Sequence, residues 1–315
     1  MKILCGGDLH IRVTAPEHRI DDFVETQKEK IFWVLNLAKE EGCKIILFPG
    51  DVTDHSKLPY WIIRQYILMF RETPNRDKIT VRGQHDMLYH VATENTPLML
   101  MEAAKAISIV GIPPKPYNIF NKETPIHIFG VSWEEEIPEI EKFGGQNTVD
   151  ILLIHKMFVD EKLWEGQEEY KRANIFLRET QWDLIVSGDN HQHFMLQSKG
   201  RFHVNCGSLM RQNIDQINHK PVVYIYDTEE RTLAPHYIPI RPAEEVFSID
   251  EARKKKAEDE RMLAFVEMVR NTTEIKGLDY AKSMDDRLGK KDISRDIKEL
   301  HKEVMKNVAE KLGDK

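Results

Sequence analysis

Lys2-Ile3-Leu4-Cys5-Gly6-Gly7-Asp8-Leu9-His10 opens the chain as a short apolar strand, a glycine pair and two metal-capable side chains one residue apart. The arrangement recurs four times. Residues 44–48 form a strand running into Pro49-Gly50-Asp51, and residues 79–81 enter Gly83-Gln84-His85-Asp86. Residues 150–154 deliver His155, and residues 183–187 lead into Gly188-Asp189-Asn190-His191-Gln192-His193. Amphipathic segments with helical period separate these strands. One fits residues 20–41, with Ile20, Phe23, Gln27, Ile31, Val34 and Ala38 on one side and Gly42 as its stop. A second starts near Pro59, a favourable first-turn residue, and reaches about Arg71; a third spans residues 96–105. Further strands fit residues 107–110 and 126–131. Strands alternating with helices predict an α/β architecture, in which ligands bind beyond the carboxyl ends of the strands. Five loops therefore bring carboxylate, imidazole and amide groups to one edge.

Beyond residue 200 the pattern changes to strands without intervening helices, at 201–204, 222–227 and 233–238. That shift predicts a second sheet packed on the first, giving an α/β (α+β) sandwich of two sheets flanked by helices. From Ser248 the chain turns helical. Ser248 and Glu251 have capping-box spacing, and Met262, Phe265, Val266 and Val269 form an apolar stripe. A last helix from about residue 293 aligns Ile297, Leu300, Val304, Val308 and Leu312. The expected organisation is a main domain over residues 1–245 and a helical C-terminal extension over 246–315.

Composition excludes several classes. Among the 315 residues there is no apolar run of membrane-spanning length, and the opening segment lacks the features of a signal peptide. Cys5, Cys43 and Cys206 are odd in number and lack CxxC spacing, which argues against a disulfide framework and for a reducing cytoplasm. The net charge is −7, distributed unevenly. Residues 251–315 hold 17 basic and 15 acidic side chains, whereas the other 250 residues hold 28 and 37. A body of net −9 does not grip a polyanion by bulk electrostatics, so contact with DNA must be local, metal-bridged or supplied by a partner.

Each polar cluster alone is ordinary turn chemistry, but all five in order at strand ends point to a metal centre. Two divalent ions about 3.5–4 Å apart clamp both the attacking and the leaving oxygen of a phosphoryl displacement. Asp8 and His10 share a face of an extended segment, as do His191 and His193. Asp51 stands alone in a Gly-Asp turn, suited to bridging, and Gln84 and His155 offer an amide oxygen and a neutral nitrogen. With no thiolate in any cluster, the donors suit Mn²⁺, with Fe²⁺, Zn²⁺ or Mg²⁺ as alternatives. Arg211 and Gln212, just past Gly207-Ser208, are candidates for substrate contact.

Asp8-x-His10, Gly50-Asp51, Gly83-Gln84-His85-Asp86, His155 and His191-x-His193 resemble the five ordered motifs of calcineurin-like metallophosphoesterases, over about residues 1–240. Within that superfamily the chain looks closest to SbcD-type DNA repair nucleases of the bacterial and phage type. The opening segment, Trp182-Asp183-Leu184-Ile185 and Asn205-Cys206-Gly207-Ser208 carry that likeness. The resemblance implies one ion on Asp8, His10, Asp51 and His193, and another on Asp51, Gln84, His155 and His191. It assigns His85 to transition-state stabilisation or leaving-group protonation, and Asp86 to orienting the His85 ring. Three positions depart from the pattern. Gln84 stands where Asn is usual, Asp189-Asn190 alters the approach to the histidine pair, and Asp54 stands where some relatives carry His.

The function so implied is a DNA exo/endonuclease in which a hydroxide shared by two ions attacks the backbone phosphorus. The chain has no Gly-x-x-x-x-Gly-Lys-Ser/Thr segment, so an ATPase would be a separate SbcC-like SMC-family subunit docked on the C-terminal helices. A homodimer is also implied by the resemblance. The alternatives are a phosphatase or cyclic-nucleotide phosphodiesterase, and a catalytically weak scaffold for an ATPase.

Overall fold

The computed structural model describes residues 1–73, 76–111, 117–119, 124–137, 147–160, 170–255, 257–258, 260–266 and 268. Two compact units divide the chain, Met1–Ile249 and Asp250–Lys315. In chain order the first contains strands β1 (Lys2–Cys5), β2 (Ile45–Phe48), β3 (Asp77–Thr80), β4 (Ser108–Ile109), β5 (Tyr117–Ile119), β6 (Ile126–Val131) and β7 (Val149–Ile154). There follow β8 (Phe158–Val159), β9 (Lys171–Arg172), β10 (Leu184–Ser187), β11 (Phe194–Ser198), β12 (Arg201–Asn205), β13 (Val222–Asp227) and β14 (Thr232–Tyr237). The helices are α1 (Phe23–Glu40), α2 (Tyr60–Arg71), α3 (Pro97–Ala103) and α4 (Ala173–Glu179).

Two six-stranded sheets result, ordered β14-β13-β1-β2-β3-β4 and β11-β12-β10-β7-β6-β5, with a small β8-β9 pair beside them. The expected two-sheet α/β sandwich is present, but the sequence divides between the sheets differently. The second sheet already begins at β5, while β13 and β14 return to the first, with β13 antiparallel to β1 through Lys2↔Asp227 and Ile3↔Tyr226. Hydrophobic period marks a strand and its buried faces without naming its neighbour, so the change in rhythm near residue 200 misplaced the division.

Alternation along the strands separates the core into layers. Ile3, Cys5, Ile45, Leu47, Ile79, Ile151, Leu153, Leu184, Val186 and Val204 pack between the two sheets. Leu4, Ile46 and Phe48 point the other way, onto Ile31, Val34, Leu35, Ala38, Ile62, Tyr66 and Phe70 of α1 and α2. On the far side Leu152, Ile154 and Ile185 meet Leu177 of α4 and Trp182. The order is helix, sheet, sheet, helix. Strands buried on both faces explain why β2 reads as an unbroken apolar run and why β7 and β10 are apolar apart from Asp150 and Ser187.

Local signals set the ends. Asp22 caps α1 by accepting from the Glu25 amide, so the helix begins three residues after the expected start at residue 20. Pro59 immediately precedes α2, and the Thr96 hydroxyl accepts from Met99 N at the start of α3. Helix α4, only seven residues long, escaped the sequence reading. In the second unit residues 250–255 are helical, and the side chains of Met262, Phe265 and Val266 are exposed. The helix expected from residue 293 lies outside the described residues, as does Val269. Among the described residues no helix is long and apolar enough to cross a membrane.

Candidate metal centre

Both sheets supply the site. Asp8 and His10 follow β1, Asp51 follows β2, and Gln84 and His85 follow β3 in the first sheet. From the second, His155 follows β7, and His191 and His193 lie between β10 and β11. Backbone bonds lace these loops together. Gly6 N donates to Leu47 O (2.8 Å), Leu9 N and His10 N both donate to Asp51 O (3.1 and 2.9 Å), and Asp8 N donates to Gly207 O (3.2 Å). His10 and Asp51 have φ of 45° and 44°, a left-handed conformation unfavourable for both, which this lacing maintains.

The donors converge. His10 Nε2 lies 3.0 Å from His191 Nε2, and 3.8 Å from Asp51 Oδ2. Asp51 Oδ2 is 3.4 Å from His155 Nε2 and 4.0 Å from His85 Nε2, and His191 Nε2 is 4.0 Å from Asp8 Oδ2. Among the described residues, two three-donor groups are compact enough for an ion, Asp8-His10-His191 and His10-Asp51-His85. His191 thus gathers with Asp8 and His10, on the side where the resemblance places His193. His193 belongs to neither group; its ring lies 6.1 Å from that of His219.

Unmet hydrogen-bonding capacity tests the fit. Among the described residues, ten buried side-chain nitrogen or oxygen atoms have no hydrogen-bond partner. Six belong to the expected ligands: Asp8 Oδ1, His10 Nδ1, Asp51 Oδ2, Gln84 Oε1, His155 Nε2 and His193 Nδ1. Burying a polar atom without a partner costs about 1–3 kcal/mol, so such a concentration calls for cations. The 3.0 Å between His10 and His191 matches the spacing of two nitrogens bonded at right angles to one ion at about 2.1 Å, roughly 3.0 Å. The residues fit divalent metal.

Electrostatics agree. Burial, assisted by the rings of His191, His85 and His155 and opposed by Asp51, lowers His10 to about 3, so the ring is neutral and able to ligate. Burial also lowers His191 and His193. In His155 the downward effect of burial is overcome by Asp51, Asp8 and Asp189, raising the ring to about 10. Positive charge is wanted where that ring points. Burial pushes Asp8 well up, whereas in Asp51 burial is outweighed by His155, His10 and His85, which hold its carboxyl below the usual range.

Around the donors lies a supporting layer. His155 Nδ1 donates to Pro49 O (2.6 Å), which leaves Nε2 for the site. Gln84 Nε2 donates to Asp189 Oδ1 (2.9 Å), which turns Oε1 inward. Gln84 and Asp189, two of the departures from the family pattern, are therefore one device, which reading them separately did not reveal. Asn205 Nδ2 donates to Asn190 O and Gln192 O (2.6 and 2.7 Å), clamping the backbone that carries His191.

The assignment of Asp86 as orienter of His85 is corrected. Buried Asp86 accepts from Thr53 N, the Thr53 hydroxyl, Gly83 N and Val52 N, at 2.8 to 3.3 Å. Its oxygens are engaged in holding the turn after Asp51. The His85 ring is oriented instead by Asp54 O, 2.7 Å from Nδ1. A carbonyl only accepts, so Nδ1 carries the proton and Nε2 is directed to the site. Arg211 is also absent from the centre: its guanidinium is held by the Arg241 and Ile217 carbonyls.

A sandwich of two sheets with clustered carboxylates and imidazoles at their shared end defines a metal-dependent hydrolase centre. The chain belongs to the calcineurin-like phosphoesterase family, whose model matches residues 1–193. Its activity class is therefore metal-dependent hydrolysis of phosphoester bonds, with two divalent metals typical of the family. Among solved structures it is similar to the protein TT1561 of Thermus thermophilus, at 15% identity and a TM-score of 0.46, covering 76% of this chain and 99% of that one. It is also similar to a putative 5′-nucleotidase from Staphylococcus aureus in complex with alpha-ketoglutarate, at 12% identity and a TM-score of 0.48, covering 82% of this chain and 58% of that one. No curated protein matches it.

Proposed function

We propose that this phosphoesterase is a two-metal phosphodiesterase acting on DNA, a nuclease subunit of the SbcD type. The carrying observation is that Asp8 Oδ1, Asp51 Oδ2, Gln84 Oε1 and His155 Nε2 are buried without a hydrogen-bond partner at the centre, which supports bound metal. The DNA reading rests on the sequence likeness, and the open side of the centre supports it. The side chains of His85 and His191 are 43% and 40% exposed, so a substrate phosphate can reach the centre from solvent. The SbcC-like ATPase, the DNA partner and a homodimer belong to the same proposal.

One ion would rest on Asp8, His10, Asp51 and His191, with His193 beside it. The other would rest on Asp51, Gln84 and His155. When bound, the ions supply Lewis-acid neutralisation of the charge on the phosphoryl oxygens, for which Mn²⁺ suits the mixed donors. Asp51 is held for a shared role by the His85 amide on Oδ1 (3.0 Å), which leaves Oδ2 facing the imidazoles. His85, fixed at Nδ1 by Asp54 O, presents Nε2, which in the imidazolium form would give its proton to the leaving oxygen.

The test is cleavage of a labelled DNA duplex in Mn²⁺ and in Mg²⁺ by the wild type and His85→Ala, beside a small chromogenic phosphodiester. Mn²⁺-dependent DNA cleavage, falling about 100-fold or more in His85→Ala with metal content unchanged, is expected. Strong turnover of the chromogenic ester with none of DNA would overturn the nuclease reading in favour of a small-substrate phosphodiesterase.

A further inference from the structure

Apart from the metal donors, a cavity of about 510 Å³ opens between α1, the Arg211 segment and residues 238–246. Four cationic side chains, Arg19, Lys30, Arg211 and Arg241, line it in a protein whose net charge is −7. Arg19 and Arg211 are buried and built in. The Arg19 guanidinium lies over the Phe23 and Phe247 rings (5.0 and 5.2 Å) and forks onto Asp21 (2.8 and 2.7 Å). The Arg211 guanidinium lies 5.7 Å from the Phe247 ring and donates to Arg241 O (2.6 Å). Lys30 Nζ donates to Pro239 O (2.7 Å), and Arg241 reaches Asp21 (3.5 Å) and the Thr26 hydroxyl. Half of these contacts are to neutral oxygens, which fix Lys30 and Arg211 without neutralising them.

Three carboxylates oppose the cluster: Asp21, taken by Arg19; Glu29 on the wall; and Glu244, which acts on Arg211. They do not cancel it at the centre. Burial first, then Arg211, Arg19 and Arg241 lower the Lys30 ammonium to about 8 against the opposing pull of Asp21. An anion is the missing charge. Trp33, Ile238, Pro239 and Ile240 give the same cavity an apolar wall suited to a planar ring.

We propose that this cavity is a second ligand site, taking a nucleoside phosphate with the anion on Lys30 and Arg241 and the base against the Trp33 wall. The guanidinium of Arg241 and the ammonium of Lys30 match phosphate oxygens, and the buried Arg19 and Arg211 add positive charge behind them. The inference does not depend on the metal centre acting on DNA. Free nucleotide and a nucleotide unit of a polymer present the same chemistry, and the experiment separates them.

Titration calorimetry of the full chain in EDTA, which strips divalent ions from the metal centre, would use inorganic phosphate, dAMP, deoxyadenosine and a short single-stranded oligodeoxynucleotide. dAMP is expected to bind more tightly than inorganic phosphate, and deoxyadenosine not at all. Tightest binding by dAMP identifies free nucleotide as the source; binding by the oligonucleotide alone identifies polymer. Lys30→Ala/Arg241→Ala should weaken the productive ligand at least tenfold, whereas Glu29→Gln should tighten it several-fold by removing an opposing charge. The Glu29→Gln arm keeps the test decisive if the double variant fails to fold. Phosphate ligands that do not bind the wild type at millimolar concentration, or affinities unmoved by either variant, overturn the proposal.

Discussion

At the scale of single residues, the centre depends on side chains that hold other side chains. The amide of Gln84 has two ends, and Asp189 occupies one so that the other faces the metals. A hydrogen bond to a charged acceptor contributes about 1.5–3 kcal/mol, equivalent to roughly a tenfold to hundredfold change in affinity. Asp189→Gly, which keeps the left-handed backbone (φ 74°) comfortable, should therefore weaken binding of one Mn²⁺ by at least tenfold. Gln84→Ala should do the same, and the double variant should be little worse than either alone. Additive losses in the calorimetric titration would break the link between the two residues. A second prediction concerns His203, buried behind β10 with Nε2 3.0 Å from Ser187 Oγ. Burial lowers its ring from 6.5 to about 3. Between those values the unfolded chain binds the extra proton, so the contribution is complete above pH 6.5 and is lost as pH falls toward 3. At pH 5 the loss amounts to about 2 kcal/mol. His203→Gln should show less acid destabilisation than the wild type by about that amount in urea unfolding at pH 7.5 and pH 5.

At the scale of elements, the strands and the loops after them were legible because both carry periodic signals. β6 and β13 fall where alternation and β-branched runs placed them, and the long helices show their apolar stripes. Two short pieces were not legible. Helix α4 buries only Ala173 and Leu177, too few apolar positions to mark a stripe, and β11 shows only intermediate and exposed positions. The ligand loops were readable as residue types, whereas their partners were not. The orienting role of Asp86 was carried over from the family resemblance, and its contacts come instead from residues more than thirty positions away and from Gly83. Glycines mark how tightly these loops close. A Cβ at Gly83 would fall 2.1 Å from Asp51 Oδ1, and one at Gly188 would fall 2.6 Å from Asp8 Oδ1 and 2.8 Å from His155 Nδ1. Gly200, in the turn between β11 and β12, has φ of 76° with open space around it. Gly83→Ala and Gly188→Ala should each displace a ligand and lower activity about 100-fold or more, since positioning errors near 1 Å are felt at that size. Gly200→Ala should cost about 1 kcal/mol of stability through backbone strain alone, with metal content unchanged. Equal metal content in all three proteins would mean the loops can yield where the contacts say they cannot.

For the whole molecule, the metal centre joins two sheets that otherwise meet through apolar packing. Asp8 and Asp51 from one sheet and His155 and His191 from the other point into the same small volume, with buried polar atoms left unpartnered. Folding without cations must therefore accommodate desolvated carboxylates and imidazoles, and His155 takes up a proton in the cation's place. Ions that bind the folded chain and not the unfolded one stabilise it by about 2.7 kcal/mol at a concentration of 100 Kd. For a domain of this size that corresponds to a rise in Tm of roughly 5–10 °C. We expect Mn²⁺ to raise the Tm of EDTA-treated protein by this amount and to do so far less in Asp51→Asn, which weakens the residue facing both sets of donors. The direction in the absence of metal is equally informative. Asp51→Asn leaves the protonated His155 ring without its nearest carboxylate, so in EDTA it should be less stable than the wild type, and the deficit should widen when Mn²⁺ is added because most of the metal's gain is lost. A variant destabilised equally with and without Mn²⁺ would show that Asp51 serves the fold and leave the union of the two sheets to their apolar core.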